Sequence, residues 1–576
     1  MKFRWSIAPP QALPAQALTS FLTLSPLLAQ CLLNRGLTSP GEIARFLEPR
    51  LKDLADPFLL PDMMAAVERL LQALQHNEAL VIFGDYDVDG VTSTALLLKF
   101  LRSLGWRVDF YLPHRFDEGY GLTQEAVEKC LIKFSPALLL AVDCGSTAGA
   151  TIAWLKERGV DTIVLDHHQI SSPPPAAVAL VNPRAGGYGG ECAFTELCSA
   201  GLAFKLIHAV IKRARELGWP NFLEYDLRVF LDLVALGTIA DIVPLVGENR
   251  ILVSAGLRQL NRTQRPGLIA LKTVAQTAGT MGCYEVGFQL APRLNAAGRL
   301  ETAEDALRLV LTDDLAEATE LARRLDAHNR ERRQIERAIC DEVLQSVRAR
   351  FRSETDFVIV EGKLLWHIGV VGIVASRVLQ EFYRPTIIVG GEGEEWRGSG
   401  RSIEGFDLAG ALRECSDLLI RHGGHSMAAG VTIHSSNLDA FRARLNEVAR
   451  KTLAGGNLRP VLKIDAEISL GDLTLESLGE LQRMSPHGPG NPAPHFVIRG
   501  LQHQRPPQRM GKENQHVKFR VTDGHEMREA VFWNCGPDGA LPDATFDLAV
   551  NPQINEFNGR RTVQLKVLDW SASEPV

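Results

Sequence analysis

The sequence predicts an α/β protein: a parallel-sheet domain and a smaller α/β domain joined by a long helix, then a C-terminal β-barrel. Three observations predict it. Short apolar runs alternate with helical segments from about residue 79, residues 303–352 contain neither Pro nor Gly, and short strand-like runs recur beyond residue 460. The chain of 576 residues is too long for one core. At 45% apolar and 23% charged residues it is globular, not disordered.

In chain order, residues 1–70 read as short helices broken by prolines, with Ser39 placed to cap a helix that starts at Pro40. Residues 71–300 carry the runs ALVIFG, RVDFYLP, ALLLAV, TIVL and VALVNP, separated by helical spacings, and then two helical stretches near 199–217 and 223–240. Near-continuous apolar runs such as ALLLAV fit strands covered on both faces. Residues 301–352 read as the connecting helix, and 353–453 as a second α/β domain built on FVIVEG and PTIIVGG. A linker at Ala454-Gly-Gly-Asn-Leu-Arg-Pro leads to the short strands of 460–572, the pattern of a small barrel or sandwich.

Nine cysteines contain no CxxC pair; Cys192 and Cys198 are the closest two. That predicts a reduced, cytoplasmic protein without a zinc ligand set. The N-terminus lacks the apolar stretch of a signal peptide, and no run approaches the ~18 apolar residues of a membrane helix. A monomer without a membrane partner is expected. The net charge of −6 gives no global basic signature, so a nucleic-acid partner must be met by local patches.

The acids carry the chemistry. ALVIFG is followed by Asp85-Tyr-Asp87-Val-Asp89-Gly90, ALLLAV by Asp143-Cys-Gly-Ser, and TIVL by Asp166-His167-His168. The carboxyl ends of parallel strands share one edge, where ligands bind, so these groups should converge. Each acid alone could be a turn residue or helix N-cap. Together, crowded carboxylates need a neutralising cation, and with imidazole they suit two divalent cations, Mn²⁺ or Mg²⁺, arranged for in-line attack on a phosphate ester. Asp241, in an apolar helical run, is costly to bury unless paired or metal-bound.

DYDVDG, AVDCGS, DHH and GTIAD, in this order, resemble the DHH phosphoesterase superfamily. PHRFDEGYGL (113–122), PRLNAAGR (292–299), GRSIEGFDL (400–408) and GGHSMAAG (423–430) resemble, more narrowly, the RecJ family of single-strand-specific exonucleases. The resemblance implies a DHH catalytic domain, a DHH-associated domain and an OB-fold-like module. It implies that Asp87 and Asp89 face one metal each, with Asp143 bridging and His167 and Asp241 completing the second site. Asp85 would be a ligand or its supporting partner, and Asp166 would orient the histidines. His168 would contact the scissile phosphate or assist the leaving group. Position 83, where many superfamily members carry His, is Phe.

For the substrate, Arg293, Asn295 and Arg299 lie in what reads as a small-residue turn, Arg115 in a loop after a strand, and Arg401 and His425 in glycine-rich segments. Guanidinium forks and backbone N–H groups suit phosphate oxygens. The stretch RRLDAHNRERRQIER (323–337) has six Arg and three acids, a mixture usual for a solvated face. Residues 495–521 hold six Lys or Arg and one Glu, interleaved with Phe496, His503, His516 and Phe519, a composition suited to single strands. The expected activity is metal-dependent 5′→3′ degradation of single-stranded DNA to 5′-mononucleotides in repair and recombination, with helicase and single-strand-binding partners implied by the resemblance. The alternatives are a phosphoesterase for short oligoribonucleotides or cyclic dinucleotides, and a non-catalytic single-stranded-DNA-binding scaffold.

Overall fold

The computed structural model describes residues 2–11, 23–115, 117–119, 121–186, 194, 196–535 and 545–573. Cys192 lies outside them, as do Phe116 and Tyr120 of the PHRFDEGYGL motif; the eight described cysteines are free. Among the described residues no helix is long and apolar enough to cross a membrane.

The strand β1 (Arg4–Ile7) precedes a five-stranded parallel sheet of β2 (Leu80–Phe83), β3 (Val108–Tyr111), β4 (Leu138–Val142), β5 (Asp161–Leu165) and β6 (Ala179–Val181), in the order β3-β2-β4-β5-β6. Every residue of β2 and β4 is buried. Alternate side chains feed two cores: Ile82, Leu138, Leu140 and Val142 on one face, Val81, Phe83, Leu139 and Ala141 on the other. Each buried Leu or Val contributes about 1.5–3 kcal/mol. Phe83 is fully buried and stacked on Tyr111 at 5.4 Å.

The helices Ser199–Glu216 and Leu231–Ala240 pack beside Val88–Ser103, the helix that leaves β2. The Pro- and Gly-free stretch forms two helices, Glu304–Leu311 and Leu315–Arg350. The break follows from Asp314, whose carboxylate caps the second helix by accepting from Ala316 N–H at 2.7 Å. The second sheet, β7 (Ile359–Leu364), β8 (Thr386–Gly391), β9 (Glu395–Arg401), β10 (Arg421–Gly424) and β11 (Ala428–His434), runs β10-β11-β9-β8-β7; only β7 and β8 are parallel.

Beyond the linker come β12 (Val461–Ile464), β13 (Ala466–Glu467), β14 (Phe496–His503), β15 (Gln508–Met510), β16 (His516–Thr522), β17 (Met527–Phe532), β18 (Phe546–Phe557) and β19 (Arg560–Ala572). Because β14 pairs with both β18 and β16, the sheet closes on itself into a barrel. The N-terminal segment is not helical throughout. β1 pairs in parallel with β12, and the helices Pro26–Leu33 and Pro40–Leu47 share the barrel's apolar core through Leu28, Leu32 and Ile43.

Candidate metal centre

At the carboxyl edge of the first sheet, Asp85, Asp143 and Asp166 follow β2, β4 and β5 and are almost fully buried. Asp143 adopts φ +65°, a left-handed conformation that Asp tolerates better than most residues and that concentrates at functional sites. Asp87 caps the helix Val88–Ser103, accepting from Asp89 N–H at 2.9 Å and Gly90 N–H at 3.1 Å. Capping and ligation are compatible, since a carboxylate has lone pairs for both.

Asp89 accepts from the Ser199 and Ala200 N–H groups at 2.7 and 2.9 Å, at the positive end of the helix Ser199–Glu216. Ser199 Oγ donates to Asp143 at 2.8 Å. A Cβ on Gly237, in the helix Leu231–Ala240, would stand 2.9 Å from Asp89 Oδ1 and 2.5 Å from Thr92 Oγ1, so the glycine lets Asp241 approach this cluster. His167 Nε2 lies 3.5 Å from Asp143, 3.5 Å from Asp241 and 4.0 Å from Asp89. Asp166 accepts from Ser146 N–H at 3.0 Å and pairs with His168 Nδ1 at 2.8 Å.

Ligand atoms lie close enough to share an ion in three overlapping groups: Asp85, Asp87 and Asp143; Asp89, His167 and Asp241; and Asp143, His167 and His168. Burial, then repulsion from neighbouring carboxylates, drives the acids upward: Asp85 and Asp143 well above the ordinary range, Asp89 to about 6, Asp241 to about 9. Burial, helped by His168, lowers His167 to about 4, so its ring is neutral and able to ligate. Burial also acts to lower His168, but its bond to Asp166 and the charges of Asp166, Asp85 and Asp87 carry it above its usual value. Burial opposes ionisation of Asp166 too, yet the His168 bond holds it well below its usual value.

Asp85 Oδ1, His167 Nε2 and Asp241 Oδ2 are buried without a hydrogen-bond partner. Orphaned buried lone pairs are costly, and here all three point into a pool of negative charge. Hard carboxylate oxygens with one or two imidazoles fit Mn²⁺ or Mg²⁺.

Of the expected phosphate contacts, two match poorly. PRLNAAGR is helical, within Ala291–Leu300, not a turn. Its Gly298 serves helix packing: a Cβ there would meet Tyr86 O at 2.7 Å. Arg293 is committed to Asp326 at 2.9 Å, and Asn295 Oδ1 accepts from Val88 N–H at 3.1 Å, which ties this helix to the acid loop. Arg299 donates to Gly369 O at 3.0 Å and joins the two lobes beside the site. Arg115 covers the Tyr86 ring at 5.1 Å, and Arg401 bonds Ser399 Oγ at 2.7 Å on β9. His425 is exposed on the β10–β11 turn. The sequence reading passed over Ser146, Ser199 and Asn182. Asn182 Nδ2 donates to Ser146 Oγ at 2.8 Å and His168 O at 2.9 Å. It follows β6, so the strand-end rule that found the acids would have found it.

Comparison with known proteins places the chain in a family. Residues 79–238 match the DHH family N-terminal domain, 355–451 the DHHA1 domain and 464–569 the RecJ OB domain. The single-stranded-DNA-specific exonuclease RecJ of Bacillus subtilis is 38% identical over 100% of this chain and 71% of its own. The chain belongs to the RecJ family. The crystal structure of Thermus thermophilus RecJ in complex with Mn²⁺ has a TM-score of 0.85 at 32% identity, covering all of this chain and 80% of that one. The same protein in complex with Mg²⁺ has a TM-score of 0.77 at 29% identity, covering 100% and 79%. The RecJ OB match coincides with the closed barrel, and the DHH match contains all the clustered acids but Asp241, which stands three residues beyond it.

Proposed function

We propose that this chain is a metal-dependent exonuclease that degrades single-stranded DNA in the 5′→3′ direction to 5′-mononucleotides. The observation that carries the reading is the edge cluster, where buried carboxylates and a neutral imidazole hold unpartnered atoms that a divalent cation would satisfy. Asp85, Asp87 and Asp143 would hold one cation, and Asp89, His167 and Asp241 the other, with Asp143 near enough to serve both. Bound there, such cations supply Lewis acidity toward the phosphate and lower the pKa of an attacking water.

The chain's own groups do the rest. Asp166 fixes the His168 Nδ1 side and favours the imidazolium, so His168 holds a proton at Nε2 for a phosphate or leaving oxygen. Asn182 and Ser146 brace that pair. Arg115, Arg299 and Arg401 put positive charge beside the cleft where the lobes meet, which suits a strand's phosphates. Arg293 and Asn295 support the helix that carries Arg299. Repair and recombination, with helicase and single-strand-binding partners, belong to the same reading.

The barrel supports a polymer substrate, through the basic end of the expected stretch and strands beyond it rather than through the expected rings. Phe496 and Phe519 are buried, and His503 lies between Phe519 and Phe546, so these rings build the core. Outside, Lys518, Arg520, Arg528, Arg560 and Arg561 line a groove of about 810 Å³ with the 71% exposed Phe557. Trp533, 48% exposed, packs against His516. Basic side chains with exposed rings suit stacked single strands.

The test uses oligonucleotides labelled at either end, incubated with Mn²⁺, Mg²⁺ or chelator beside a blunt duplex. Immediate release of a 5′-labelled mononucleotide that needs metal and spares duplex is expected. Cleavage of only the shortest fragments would replace the reading with a small-substrate phosphoesterase, and binding without cleavage with a scaffold.

A further inference from the structure

Asp241 stands apart from the other clustered acids, which sit at strand ends or on the loop and first helical turn after β2. It closes the helix Leu231–Ala240, and the next residue, Ile242, has φ +62°. A β-branched residue in that region is strained and persists only where its surroundings hold it. Ile242 itself is 70% exposed, so its own side chain does little of the holding.

What holds the turn is the C-terminal module. Leu245 N–H donates to Pro489 O at 2.7 Å, and the Leu245 side chain is buried. A Cβ on Gly488 would stand 2.8 Å from Leu245, and one on Gly490 would stand 3.0 Å from Pro244 and 3.1 Å from Val246, so the two surfaces are in close contact. Asn249 Nδ2 grips Pro244 O at 3.0 Å from the other side. Arg250, almost fully buried, donates to Met484 O at 2.9 Å and Ser485 O at 2.8 Å, and to Phe46 O of the N-terminal segment at 2.8 Å. On the barrel side, fully buried Asn491 donates to Met484 O and Pro486 O at 2.8 and 2.9 Å, which fixes the loop that receives Arg250.

We propose that the loop 485–491 of the C-terminal module is a positioning element for Asp241: by clamping residues 244–246 and receiving Arg250, it holds the strained turn that presents this carboxylate to His167. The inference rests on the proposed metal reading and deepens it. It assigns the module a part in assembling the Asp89–His167–Asp241 group and none in the Asp85–Asp87–Asp143 group, whose loops are set by the sheet and the helix Val88–Ser103. Arg250 and Gly490 are positioning residues; neither touches the cluster.

The experiment titrates metal-free, full-length protein with Mn²⁺ and follows free Mn²⁺ by electron paramagnetic resonance. It compares wild type, Gly490→Val, Arg250→Lys and Asp241→Asn, each checked for a native circular-dichroism spectrum. Outer partners of metal ligands are typically worth 10–100-fold in affinity. Gly490→Val should therefore weaken one of two Mn²⁺ sites by about tenfold and leave the other unchanged, as Asp241→Asn does more severely. Arg250→Lys, which keeps the charge but loses the fork, should shift the same site by a smaller factor; it also serves if the valine variant does not fold. A general loosening would weaken both sites and overturn the proposal, as would wild-type affinity at both sites in folded variants. Wild type that binds no Mn²⁺, or Asp241→Asn that binds as wild type does, would instead overturn the metal reading beneath it.

Discussion

Asp85, Asp89 and Asp143 in the first lobe are each no more than 2% exposed, while Arg520, Arg560 and Arg561 on the barrel stand in solvent. The ring residues are placed the opposite way: Phe496 and Phe519 lie inside the barrel, whereas Tyr86 is half-buried at the acid cluster under Arg115. Buried charge that the protein itself leaves unpaired is expensive and marks chemistry. Exposed charge costs little and is suited to a long, adaptable contact with a polymer.

The comparison breaks first at Asp143. Replacing it with Asn should lower metal-dependent cleavage by more than about 10²-fold, beyond what loss of an outer partner costs. Binding of single-stranded DNA, measured by fluorescence anisotropy, should persist; its loss together with activity would merge the two regions' roles. Next, Phe519→Ala should destabilise the barrel by about 3–5 kcal/mol, as expected for a buried ring, in denaturant unfolding. A folded variant of normal stability that had lost DNA affinity would instead restore Phe519 as a stacking residue. Trp533→Ala, on the exposed side, should weaken DNA binding by about 1–3 kcal/mol without altering stability or turnover at saturating substrate. Smallest, Arg520→Ala should lower affinity modestly and reduce the slope of log affinity against log salt by about 1. Neutralising a buried acid provides a converse check. Asp241→Asn should raise the melting temperature of the metal-free protein by a few degrees, because it removes a buried, unpartnered carboxylate that Asp89 and Asp87 repel.

Most of the acid cluster was legible in the sequence because strand composition and sheet topology point to the same edge. Fully apolar strands such as ALLLAV declare a parallel sheet, and a parallel sheet brings its strand ends together, so Asp85, Asp143 and Asp166 could be gathered without knowing any contact. The barrel was legible as a barrel, but its rings were not sorted. Burial alternates along a strand, and HVKFRVT turns Val517, Phe519 and Val521 inward and Arg520 outward. The same period-two rule, applied to the basic residues as well as the rings, would have placed them correctly. PRLNAAGR misled because small residues permit either a tight turn or close helix packing, and only the neighbour, Tyr86 O beneath Gly298, decides between them.

The sequence by itself determined the order of layers, the strand-end acids, the DHH and RecJ motifs and the run of short strands beyond residue 460, because these depend on local period and on residue type at fixed offsets. Tertiary structure alone decided which acids come close enough to share an ion, that Arg293 is spent on Asp326, that the N-terminal helices complete the barrel's core, and that the barrel's loop grips the turn after Asp241. Those contacts join residues tens to hundreds of positions apart, and nothing in a local pattern encodes which distant surface will cover it.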